Sequence, residues 1–159
     1  MNTDALRTLV AQGLTAMKAG SKVAADATAE IRNDARNPEL KAALDTGNTV
    51  SQQWAQRIDQ ALQEAGGGSG EGRNPVLDGL YEVSRMIRSQ APDDGARDLG
   101  IVANGQLALH YWIAAFGTIR TYAGQLGMSG TAQAMQTSLD EAKQGDEAHT
   151  DIAKRLLNA

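Results

Sequence analysis

The chain has no cysteine, only three prolines, and among aromatics two tryptophans, three tyrosines and one phenylalanine. Without cysteine there can be no disulfide, no thiolate nucleophile and no thiolate metal site, and the absence fits a reducing compartment. No apolar run approaches the roughly 20 residues that span a bilayer. No long run of one charge sign occurs: 15 basic and 19 acidic residues are dispersed and sum to −4. A basic footprint for nucleic acid is therefore missing. The opening "MNTDALRTLVAQGLTAMKAG" has neither a basic start nor a continuous apolar segment, so no secretory signal is read there. The expectation is a soluble cytoplasmic protein without nucleic-acid or membrane partners.

What the sequence does contain is helix-forming residues: Ala, Leu, Gln, Glu, Lys and Arg dominate, and β-branched residues are sparse. Leu6, Leu9, Val10, Leu14, Met17, Ala24, Thr28 and Ile31 recur at spacings of three and four and predict a helix over about 3–34. Gly13 and Gly20 lie inside it and point to close helix contacts or a bend. Asn37-Pro38 reads as a cap followed by a first helical residue. The helix it opens runs to about Gln63, with Leu40, Leu44, Val50, Trp54, Ile58 and Leu62 inward.

The glycine-rich stretch that follows makes 65–74 a flexible connection. A phosphate-binding reading of it fails, because no strand precedes it and no Gly-Lys-Ser/Thr follows. A second Asn-Pro opens a short helix over about 75–89. Two more long helices follow, about 94–126 and about 129–157, with Gly127 as the C-terminal cap between them. The first of these turns Leu99, Val102, Gln106, Leu109, Trp112, Phe116 and Ile119 inward, and the second Ala132, Met135, Leu139, Ala142, Asp146 and Ile152 or Ala153. Four long helices and one short one, with no persuasive strand, predict an all-α bundle in one domain over 1–159. A chain of this size buries roughly 70% of its unfolded surface and needs no staple.

The stretches "QRIDQAL", "LDGLYE", "ARDLGIVANGQ", "HYWIAAFGT", "YAGQLG" and "SLDEAKQGDEAHTDIA", in this order and spacing, resemble the YciE/YciF family of ferritin-like bacterial stress proteins. The resemblance runs from about Leu6 to Leu157. It implies a ferritin-like four-helix bundle with an additional short helix, pairing as a homodimer, and a pair of metal ions held by carboxylates between the long helices. It also implies where those ligands fall. Glutamates of the family correspond to Ser21 and Val50, and a glutamine or histidine to Trp54. Its Glu-His-Tyr-Glu falls on Leu109, His110, Tyr111 and Trp112. A further glutamate corresponds to Ala142, and an aspartate to Asp146, the one ligand type retained.

A di-iron or di-manganese centre needs several hard oxygen ligands. Leu, Val, Ala and Trp supply none, and one aspartate with a serine hydroxyl cannot hold two divalent ions. The expectation is therefore no metal and no cofactor, and a non-catalytic homodimeric structural or binding protein with a small apolar ligand or a protein as its partner. The alternative is an iron- or manganese-dependent oxidase or peroxidase with a weakened carboxylate site. The seven positions Ser21, Val50, Trp54, Leu109, Trp112, Ala142 and Asp146 then line either packed core or a pocket. Asp146 is read as paired with a base or hydroxyl at the bundle end, or as the polar anchor of such a pocket. His110 lies off the inner stripe and is read as a hydrogen-bonded structural histidine. His149 and the pair Asp140–Glu141 are placed on the solvated surface, and Ser21 lacks the His–Asp partners of a nucleophile.

Overall fold

The structure, a computed structural model, describes residues 2–68 and 72–158. Its elements are α1 (Thr3–Asp34), α2 (Pro38–Glu64), α3 (Pro75–Gln90), α4 (Asp94–Gln125) and α5 (Ser129–Leu157), and no strand occurs among the described residues. Four of the five helices begin at a side chain that accepts backbone N–H groups otherwise left without partners. Asn2 accepts from Asp4, Asn37 from Glu39 and Leu40, Asn74 from Leu77, and Asp93 from Ala96. Pro38 and Pro75 follow their caps directly, where a missing N–H costs nothing. Gly127 adopts φ +70°, and the Met128 N–H reaches back to the Ala123 carbonyl at 3.0 Å. That αL turn closes α4 and reverses the chain into α5.

Side-chain pairs fix the topology. Lys18–Asp59 and Arg32–Asp45 run α1 antiparallel to α2. Arg57–Glu141 and Glu64–Thr131 run α2 antiparallel to α5. Gln106–Thr150 and Arg120–Gln136 run α5 antiparallel to α4. The ring closes where α4 packs back on α1. Since α2 and α4 point the same way, the chain must return to the starting end between them. The short α3 makes that return along the outside of α1 and α4. A bundle with one long crossover is the ferritin-like connectivity.

The two glycines of α1 are contact points. A Cβ on Gly13 would stand 2.8 Å from Ile119 Cδ1, and one on Gly20 would stand 2.6 Å from Leu77 Cδ1 and Asn74 Nδ2. One apolar cluster fills the bundle from its middle to the α1 N-terminal end, around Leu14, Met17, Ile58, Phe116 and Met135. A smaller one, around Leu40, Leu44, Ile101, Val102 and Ile152, fills the other end. Leu9, expected inward, is 49% exposed. The apolar stripe it extends is wider than the face that α2 and α4 cover.

The connection 65–74 is anchored at both ends. Ala65 is buried in the larger cluster, and Asn74 is 4% exposed. The flexibility expected between them falls in part on residues 69–71, which lie outside the described residues.

Candidate functional site

The middle of the bundle is where the family resemblance implies ligand positions. Val50, Trp54, Leu109, Trp112 and Ala142, from α2, α4 and α5, belong there to one apolar cluster. Trp54 and Trp112 approach with ring centroids 5.7 Å apart, and Phe116 lies 5.1 Å from Trp54 and 5.3 Å from Trp112. Tyr111 meets the edge of Trp112 at 5.2 Å. These separations are those of aromatic rings in direct contact. Trp54, Trp112, Phe116 and Ala142 are all buried, while Val50 and Leu109 are half-buried at the margin.

The other two positions lie apart from this cluster chemically. The Ser21 hydroxyl donates to the Met17 carbonyl of its own helix at 3.0 Å. Asp146 lies in a polar strip between α4 and α5. Its Oδ1 accepts from Gln106 Nε2 at 3.3 Å, its Oδ2 lies 3.3 Å from His110 Nε2, and Gln106 also donates to the Thr150 hydroxyl. His110 itself is exposed. Asp146 therefore has a base and an amide as neighbours, midway along α4 rather than at the bundle end.

The acidic pair 140–141 divides. Asp140 is exposed, as expected. Glu141 is not on a solvated face: its side chain is 24% exposed and faces α2. Arg57 Nη1 and Nη2 donate to its two oxygens at 2.6 and 3.1 Å, and the Trp54 indole N–H donates to Oε2 at 2.8 Å. Arg57 also reaches the buried Ser138 hydroxyl. The arginine neutralises the carboxylate that the Trp54 indole N–H bonds, and three donors occupy its oxygens.

His149 is likewise corrected, being buried at 9% exposure. Its Nδ1–H donates to the Gly145 carbonyl at 2.8 Å, and its ring lies over Gly105, where a Cβ would come within 2.8 Å of Nε2. The missing side chain at 105 admits the ring, and the i−4 carbonyl satisfies it.

This donor set does not fit a di-metal centre. The mid-bundle positions supply indole, phenyl and aliphatic groups, and the adjacent glutamate is held by a guanidinium. Among the described residues, no three His, Asp or Glu side chains come together in a way that could hold a metal ion. What the arrangement does chemically is pack and anchor.

Three further polar anchors had no signal in the periodicity. Asn74 caps α3 and also donates to the Ala16 carbonyl of α1 and the Tyr111 hydroxyl of α4, at 2.9 and 2.6 Å. Asp98, 3% exposed, accepts the backbone N–H groups of Arg36 and Asn37 at 2.8 and 2.7 Å, which fixes α4 to the α1–α2 turn. Arg88 is 3% exposed at its side chain and pairs with Asp34 and Glu30 of α1. Tyr81 and Arg88 together hold the Glu30 carboxyl below its usual range. The Asn-Pro signature predicted the cap at 74, but not its two tertiary bonds.

A family model described as a domain of unknown function (DUF892) matches residues 5–159. Protein YciF of Escherichia coli (strain K12) is 28% identical over 133 residues, covering 83% of this chain and 80% of that protein. The structure of the E. coli stress protein YciF superposes with a TM-score of 0.92 at 25% identity, over 96% of this chain and 97% of that one. YcfI, a putative structural protein from Rhodopseudomonas palustris, superposes with a TM-score of 0.86 at 25% identity, over 94% of each chain. Among the described residues no helix is long and apolar enough to cross a membrane.

Proposed function

This chain belongs to the DUF892 family of YciF-like proteins, and from that premise we propose that it is a non-catalytic member whose di-metal centre has been replaced by packing. It acts as a homodimeric structural or binding protein associated with stress, in the cytoplasm, where a cysteine-free chain is at home. One observation carries the reading. Trp54 and Trp112, at positions where family resemblance implies ligands, occupy the mid-bundle in contact with each other and with Phe116. The association with stress, and a structural role, are supported by similarity to proteins described in those words.

Physical reasoning supports the same exchange. Clustered carboxylates without their metal are costly to bury. Large apolar side chains in their place each contribute roughly 1.5–3 kcal/mol of burial. With the rings in contact, the former ligand space acts as packed core, and partner binding falls to the surface.

The test is metal analysis of protein expressed in medium supplemented with iron and manganese, together with melting in the presence and absence of EDTA. The proposal expects well under one ion per chain and superimposable melts, since chelation unfolds only proteins whose fold depends on metal. Stoichiometric iron or manganese, lost to EDTA with a fall in melting temperature, would instead establish the oxidase or peroxidase alternative.

A further inference from the structure

A cleft of about 340 Å3 opens where the ends of α1 and α3 meet the start of α4, and four arginines line it: Arg36, Arg85, Arg88 and Arg97. Glu30 and Asp34 are the carboxylates lining it with them. Four guanidiniums against two carboxylates leave its walls positive, in a chain whose net charge is −4. Like charges held this close repel unless something neutralises them. Asp94, outside the lining, pairs with Arg97 and lies 3.8 Å from Arg36. Asp93 and Asp98 turn their oxygens to backbone N–H groups at the start of α4 and in the α1–α2 turn.

The fold accounts for two of the four arginines. Arg88, buried, spends its guanidinium on Glu30, Asp34 and Ser84. Arg97 pairs with Asp94 and donates to the Arg88 carbonyl at 3.4 Å. Arg36 and Arg85, both exposed, are different. Their contacts with Asp94 and Glu30 are 3.8 and 3.7 Å, beyond hydrogen-bond reach, and each of those carboxylates is already bonded to another arginine. Both are nevertheless held in place. Arg36 Nη1 donates to the Asn33 carbonyl at 3.2 Å. Arg85 Nη2 donates to the Tyr81 hydroxyl at 3.0 Å, with its guanidinium 4.8 Å from the centre of that ring. Among the described residues, Arg36 Nη2, Arg85 Nη1 and Arg97 Nη2 bond to nothing. Donors fixed before a ligand arrives lose little freedom on binding it.

We infer that this cleft binds a phosphate group. The chemistry selects the class. A carboxylate offers two oxygens, which one guanidinium fork can serve. A tetrahedral phosphate offers more, so several guanidiniums can bond it at once, each through its planar fork. The volume lies at the lower end of small-molecule sites and leaves room for a small organic group beside the phosphate. The inference goes beyond the reading above and requires neither the packed centre nor the homodimer.

Isothermal titration of the full-length chain with glycerol 3-phosphate and with inorganic phosphate, near neutral pH, tests it. Phosphate should bind saturably at one group per chain, and acetate at the same ionic strength should not bind. Tighter binding of the ester would show that the cleft holds the group on a small molecule, and equal binding that it holds the free anion; both support the inference. Arg36→Gln and Arg85→Gln should each weaken binding about tenfold, the worth of one charge-assisted hydrogen bond. Circular dichroism should find both variants folded, because the side chains are exposed. Arg7→Gln removes the same charge from an exposed position outside the cleft and should leave binding unchanged. Absence of saturable binding up to about 10 mM of either phosphate, an equal loss in Arg7→Gln, or acetate binding as well as phosphate would each overturn the site.

Discussion

The indole N–H of Trp54 on α2 donates to Glu141 Oε2 on α5 at 2.8 Å, and the same oxygen accepts from Arg57 Nη1 at 2.6 Å. The bond joins the aromatic centre of the bundle to an ion pair at its margin. With Arg57 and Glu141 22% and 24% exposed, the pair is too sheltered to behave as a surface salt bridge, whose contribution is about 0–1 kcal/mol.

Glu141→Gln is expected to destabilise the protein by about 1–3 kcal/mol, because it leaves the Arg57 guanidinium half-buried without its counter-charge. Replacing both residues, as Arg57→Met with Glu141→Leu, should cost less than the sum of the single changes, since neither partner is then left alone. Denaturant unfolding of the four species gives the coupling, expected at about 0.5–3 kcal/mol. Additive costs would show that the pair contributes nothing as a pair.

Trp112→Ala removes a ring in contact with Trp54, Phe116 and Tyr111. A filled centre predicts a loss of about 3–5 kcal/mol, as for other large core truncations. A much smaller loss would mean that the centre is under-packed and holds space for a ligand.

Leu109→Glu restores a carboxylate type that family resemblance implies at that position. It is expected to destabilise the protein, because Leu109 packs against Gly145 and the apolar cluster and a charge there lacks a partner. Added iron or manganese should not recover the loss. Recovery by metal, read from the unfolding midpoint, would count against replacement of the centre by packing.

Asn74→Ala deletes a helix cap and the donors to Ala16 and Tyr111 at once. The cap alone is worth about 1 kcal/mol, and the stranded buried acceptors raise the expected cost to about 2–3 kcal/mol. Asn74→Asp keeps the capping acceptor and loses both donors, so it should recover only part. Full recovery would show that the tertiary bonds are idle.

Acid should loosen the α1–α3 contact. Tyr81, then Arg88, hold the folded Glu30 carboxyl below its ordinary 4.5. A group whose folded value is depressed contributes stability that is complete above the unfolded value and is lost as pH falls through the folded one. The parent's advantage over Glu30→Gln should therefore be flat at neutral pH and shrink below 4.5. Glu30 is 44% exposed at its side chain, so the effect is small and screened by salt. Urea midpoints of both proteins across that range measure it.

The sequence by itself determined the five helices, to within a residue or two at each end, and the reasons are local. Asn37-Pro38 and Asn74-Pro75 start helices through their own backbone chemistry, Gly127 ends one through its positive φ, and apolar spacing sets a face. Those same spacings turned Val50, Trp54, Leu109, Trp112 and Ala142 inward, where the structure has them in one cluster.

Tertiary structure alone decided what each face meets. Glu141 reads as solvated acid beside Asp140 until α2 delivers Arg57 to it, a partner 84 residues away. His149 reads as surface until Gly105 leaves room for its ring. Leu9 continues the stripe of α1 and still faces outward, because helical period fixes the direction of a side chain but not the extent of its cover. Burial and charge pairing depend on the neighbour's rotation and register, which come from helices distant in the chain and leave no trace in local spacing.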